Sequence, residues 1–146
     1  MDARTVPKRP FTVTLALLGV FLLGLWNLGR AAALYREQDL LLTLQVQPDP
    51  RLRLLIAVVW VVIFWGLVWA LWRRRPFSQK AVPGLTALYA VYDLGLPFIY
   101  PAARLNQTNW LLTGAFYLII VLFMAWALNR PAASKYFKTE DTWTEK

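Results

Sequence analysis

Charge is missing from three long stretches of this 146-residue chain, 11–29, 54–72 and 105–129, and a fourth, 81–103, carries only Asp93. Each stretch is mostly apolar and about the length a helix needs to cross the hydrocarbon core of a bilayer, roughly 20 residues at 1.5 Å each. The remaining charges fall in short blocks between them. Charged residues make up 16% of the chain and apolar residues 58%, whereas a water-soluble domain carries about a quarter charged residues. Too little polar surface is available to cover a globule in water. The pattern predicts an all-α, integral membrane four-helix bundle, one domain over 1–146, with spans at about 11–29, 52–72, 79–100 and 110–128.

The first span follows a basic lead, Arg4, Lys8 and Arg9, and precedes Ala31-Ala32-Ala33, which gives it the outline of a secretory signal. Its apolar region is longer than the ~7–15 residues of such signals, and Trp26 and Arg30 stand before the alanines. A retained membrane helix is the better reading. Residues 30–47 mix Arg36, Glu37 and Asp39 with leucines and contain neither Gly nor Pro. This segment either continues the first helix or lies as an amphipathic helix along the interface. Pro48-Asp49-Pro50 ends it, with Asp49 a natural N-cap and Pro50 suited to the first position of the next helix. Arg73-Arg74-Arg75-Pro76 stops the second span, Ser78 is a cap for the third, and Pro83 and Pro97 are candidate kink points within it. Asn129-Arg130-Pro131 closes the fourth, leaving 131–146 as a polar, mobile cytoplasmic tail.

Lysine and arginine at span ends set orientation. One side holds Arg4, Lys8, Arg9, Arg73, Arg74, Arg75, Lys80, Arg130, Lys135, Lys138 and Lys146; the other holds Arg30, Arg36, Arg51, Arg53 and Arg104. The heavier side is expected to be cytoplasmic, which makes this a multi-pass protein of the cell membrane with both termini in the cytoplasm. The net charge of +8 does not argue for nucleic acid, because these residues flank apolar spans rather than form a basic domain. Membrane lipids are the expected partners. Arg73, Arg74 and Arg75 are a candidate contact for anionic lipid head groups.

An internal repeat is visible at an offset of 66: Arg9-Pro10-Phe11-Thr12 matches Arg75-Pro76-Phe77-Ser78, and Trp26-Asn27-Leu28-Gly29 matches Tyr92-Asp93-Leu94-Gly95. Trp69-Ala70-Leu71 and Trp126-Ala127-Leu128 share an ending as well. Two parallel helical-hairpin repeats explain these matches; the alternative is that Arg-Pro-aromatic is a common way for membrane helices to begin. Duplication places Asn27 and Asp93 at one depth, with Gly29 and Gly95 giving close helix approach beside that layer.

Asp93 is the ionisable residue furthest inside a span, and a carboxylate there is costly unless it is paired or used. Thr86, Tyr89, Asp93, Pro97 and Tyr100 share one helix face. They either line a polar cavity or pack against the other hairpin, with Asn27, Arg30 or Arg104 satisfying the carboxylate. Trp69, Trp72 and Trp126 read as an interfacial aromatic belt, while Trp60, Phe64 and Trp65 face lipid or a neighbouring helix.

Cysteine and histidine are both absent, which removes disulfides, thiolate or imidazole metal ligands and the usual near-neutral acid–base group. No Walker loop is present, and Glu37 and Asp39, two residues apart, point to different helix faces. No catalytic residue, cofactor or metal is expected. The expected function is that of a non-catalytic accessory or assembly subunit, or a homo-oligomeric scaffold, working through helix packing with other membrane subunits or with itself. The alternative is a small transporter or channel half-unit using Asp93 in its polar stripe.

Overall fold

The computed structural model describes residues 9–44, 49–99 and 110–138, without the side chains of Pro97, Phe98, Trp110 and Lys138. Arg4, Lys8, Tyr100, Arg104, Lys146 and the segments 45–48 and 139–146 lie outside the described residues. Within them the chain is all helical: α1 (Phe11–Thr43), α2 (Pro50–Trp72), α3 (Ser78–Ile99), α4 (Trp110–Asn129) and a short α5 (Pro131–Lys138). Three helices, Phe11–Thr43, Pro50–Trp72 and Leu111–Asn129, are long and apolar enough to cross a membrane. The protein is a membrane protein on that basis.

Of the two readings of residues 30–47, continuation of the first helix is the one observed as far as Thr43; residues 45–47 lie outside the described residues. α1 is a single helix of 33 residues, about 50 Å long at 1.5 Å per residue. It exceeds a bilayer's hydrocarbon core, because nothing between Phe11 and Thr43 breaks it. Asp49 caps α2, its carboxylate accepting from the Arg51 backbone N–H at 2.8 Å, and Pro50 opens the helix. Ser78 behaves differently from the expected cap. Its hydroxyl donates to the Arg75 carbonyl at 2.6 Å, closing the turn between α2 and α3. α3 continues through Pro83 without interruption.

The tail departs from expectation. Residues 131–138 form α5, in which Ala133, Tyr136 and Phe137 are buried. Their i, i+3, i+4 spacing gives this short helix an apolar stripe, and Pro131 suits its first position. A segment that is polar on average therefore still has one face to bury.

α1 packs most extensively on α2, and α3 on α4. The common core takes Val13, Ala16 and Val20 from α1, Trp60, Phe64, Leu67 and Leu71 from α2, Val82 and Tyr89 from α3, and Met124 and Leu128 from α4. Outward positions are no less apolar: Leu18, Leu22, Val62, Leu88, Leu112, Ile119 and Leu122 are all exposed. Helices apolar on every side suit a lipid solvent.

Close approach between helices falls at other glycines than expected. A Cβ built at Gly29 or Gly95 would stand in open space. At Gly19 it would collide with the terminal methyl of Met124, and at Gly24 it would lie 3.4 Å from the Phe64 Cβ. The buried side of α1 runs through Val13, Ala16, Val20, Gly24, Asn27 and Ala31, and Gly29 is off that line.

Candidate functional site

Three polar residues of the long helices, Arg30, Asp93 and Tyr117, meet at the end of the helices opposite the arginine blocks. α1 carries Arg30 to this level and α3 carries Asp93, 16 residues beyond Phe77 and therefore about 24 Å along its axis. Arg30 Nη1 donates to Asp93 Oδ1 at 2.7 Å. The second carboxylate oxygen, Oδ2, accepts from the Tyr117 hydroxyl of α4 at 2.8 Å. Asp93 is thus neutralised by α1 and oriented by α4. Its side chain is 17% exposed and that of Arg30 is 35% exposed, so the pair is neither in bulk water nor sealed off.

A shell of rings lies beneath the pair. Tyr89 is fully buried, with its ring edge-on to Trp60, Phe64 and Tyr117 at centroid distances of 5.0, 5.3 and 5.9 Å. Trp60 also approaches Tyr92 at 6.0 Å. Edge-to-face geometry of this kind adds about 0.5–1.5 kcal/mol per pair beyond area burial. Among the described residues the Tyr89 hydroxyl makes no hydrogen bond of good geometry, although it faces the Tyr117 hydroxyl.

The expected stripe is only partly a polar feature. Thr86 is fully buried and donates to the Val82 carbonyl of its own helix at 2.7 Å. Asn27, 1% exposed, likewise bonds within its helix, its amide donating to the Leu23 carbonyl at 2.9 Å. Neither reaches Asp93. Of the partners expected for the carboxylate, Arg30 is engaged and Asn27 is not, while Arg104 lies outside the described residues. Tyr117 is a member the sequence reading missed; its signal was a lone phenol inside an otherwise apolar span. Arg30, Asp93 and Tyr117 together can hold helices in register or, with the Tyr89 hydroxyl alongside, present polar groups to a small solute.

At the basic end Arg73, Arg74 and Arg75 follow α2 directly. Trp69, Trp72 and Trp126 are exposed there, as belt residues should be, while Trp60 and Phe64 are buried. Trp65 is exposed and meets Phe21 edge-on at 5.6 Å. No family model, curated protein or solved structure matches the chain, so a functional reading rests on its own residues.

Proposed function

We propose that this protein is a non-catalytic, multi-pass membrane protein that serves as an accessory or assembly subunit, or as a homo-oligomeric scaffold, through helix packing. The observation that carries the reading is the state of Asp93: both its oxygens are engaged, one by Arg30 and the other by Tyr117. A carboxylate tied down in this way joins α1 to α3 and α4 and is not held ready for a substrate.

The same reading takes the four long helices as four crossings of the cytoplasmic membrane, with both termini inside. Charge asymmetry supports the orientation. Preferential packing of α1 with α2 and of α3 with α4 supports two like hairpins. So does the start of α1 and of α3 just after Arg9-Pro10 and Arg75-Pro76. The Arg30–Asp93 contact then links one hairpin to the other at the level of Asn27 and Asp93, where duplication puts equivalent residues. The outward apolar surface of α4, including Leu112, Phe116 and Ile119, is open to lipid or to a neighbouring subunit.

The second reading, a transporter or channel half-unit, draws on one observation: beside the Asp93 cluster the Tyr89 hydroxyl is buried and, among the described residues, without a well-formed hydrogen bond. Reconstitution separates the two. Purified protein is expected as a defined oligomer, or in stoichiometric complex with other membrane subunits. Vesicles containing it should be no more permeable to protons or small ions than empty ones. A monomer without stable association, or a flux abolished by Asp93→Asn in a protein that still assembles, would favour the transporter.

A further inference from the structure

Beyond its signal for orientation, the basic end has a built geometry. The chain leaves α2 through a left-handed turn: Arg75 N–H bonds the Ala70 carbonyl at 3.0 Å, Arg74 N–H bonds the Leu71 carbonyl at 3.2 Å, and Arg74 has φ 58°. This is a Schellman ending, and the left-handed position in it ordinarily belongs to glycine, which meets no Cβ clash there. An arginine at that position is conformationally costly, so its side chain calls for an explanation. The Arg74 guanidinium lies 4.6 Å from the ring centre of Tyr136 on α5. Arg9 comes to the same ring from the start of α1, its Nε donating to the Tyr136 hydroxyl at 3.1 Å, and lies 5.2 Å from the ring centre of Trp72.

The pattern repeats around this end. Arg73 lies 4.9 Å from the centre of the Trp69 ring and Arg130 lies 4.0 Å from that of Trp126. Contact with a ring face places a guanidinium without consuming its N–H donors. Among the described residues no carboxylate lies at this end: Glu37, Asp39, Asp49 and Asp93 all belong to the other. Among the described residues, Arg9, Arg73, Arg74, Arg75, Lys80 and Arg130 therefore form a positive surface that no carboxylate offsets, ringed by exposed indoles. α5 serves as its floor through the buried Tyr136 and Phe137.

We infer that this surface binds the phosphate head groups of anionic phospholipids, with Arg9 and Arg74 at its centre on either side of Tyr136. Guanidinium matches phosphate oxygens with paired N–H donors, and the indole belt fixes the surface at the height where head groups lie. The inference rests on the membrane-spanning reading but not on the scaffold role, which oligomeric state tests separately.

Native mass spectrometry of the full chain from micelles doped equally with phosphatidylglycerol and phosphatidylcholine tests it. Wild type should retain phosphatidylglycerol preferentially. Arg74→Gly keeps the backbone turn in its favoured form, so it should unfold no more readily in zwitterionic detergent while losing about fivefold of that preference, the scale for one basic side chain near an anionic surface. Arg9→Gln should lose a similar factor. Equal retention of the two lipids by wild type, or an undiminished preference in both variants, would overturn the inference. Inorganic phosphate displacing phosphatidylglycerol at millimolar concentration would also overturn it, by showing a free-anion site instead.

Discussion

Arg30 and Asp93, 63 positions apart in sequence, meet at 2.7 Å and tie α1 to α3 through their side chains near the end of the spans, where the two helices themselves pack little on each other. The contact explains why a carboxylate is tolerated this deep in an apolar helix. Removing one member leaves the other charged and unpaired, which costs about 3–5 kcal/mol in a sealed interior. Arg30 is 35% exposed, so water recovers part of that cost, and about 1–3 kcal/mol is the expected range here. Asp93→Leu and Arg30→Met should each destabilise by that amount. The double variant should be less destabilised than their sum by about 1–2 kcal/mol. Unfolding in mixed detergent micelles measures all four corners of the cycle, and strict additivity would show that the contact has no energetic weight.

Two tyrosines near the pair should respond oppositely to loss of a hydroxyl. Tyr117 donates to a charged acceptor, so Tyr117→Phe should cost about 1–3 kcal/mol. Tyr89 is packed among rings, but among the described residues its hydroxyl makes no hydrogen bond of good geometry, so Tyr89→Phe should be neutral or stabilising by up to about 1 kcal/mol. The same unfolding assay ranks them. A Tyr89→Phe variant as damaged as Tyr117→Phe would mean that the Tyr89 hydroxyl is engaged in the membrane.

The helices were legible because a bilayer imposes length and apolarity on any span, and the Pro48-Asp49-Pro50 and Arg73-Arg74-Arg75-Pro76 breaks are local chemistry. Asp93 stood out for the same reason, as a charge where charge is costly. Its partners were harder to read. Arg30 was one of three candidates, and choosing among them depends on how α1 is rotated about its axis, which a helix apolar on all sides does not encode. Tyr117 was missed outright because its role appears only once α4 lies beside α3. The glycines failed for a related reason: the repeat pointed to Gly29 and Gly95, but rotation of α1 presents Gly19 and Gly24 to its neighbours. In α5 the signal was present and diluted, since Ala133, Tyr136 and Phe137 sit among Ser134, Lys135 and Lys138.

Orientation can be tested at described, exposed positions, and the absence of native cysteine makes single labels clean. Lys80 lies at the basic end and Glu37 on the far extension of α1, both exposed. The proposed orientation, drawn from charge asymmetry, has Lys80 on the cytoplasmic side. In intact cells an impermeant maleimide should therefore modify Glu37→Cys and spare Lys80→Cys until the membrane is opened. The reverse labelling pattern would invert the topology.

The glycines of α1 supply a test of its rotation. A Cβ at Gly19 would collide with the end of the Met124 side chain, whereas a Cβ at Gly29 meets nothing within 4 Å. Methionine is flexible, so Gly19→Ala should be absorbed by a rotamer change at a cost of about 1 kcal/mol or less. Gly19→Leu has no such escape and must push α1 away from α4, an overpacking cost of about 1–3 kcal/mol. Gly29→Leu adds an apolar side chain to open space on a helix and should leave stability unchanged or improve it by a few tenths of a kcal/mol. Detergent unfolding of the two leucine variants gives the comparison directly. If Gly29→Leu is the more damaging, then α1 turns its repeat-equivalent glycine inward in the membrane, and the close approach expected from duplication is restored.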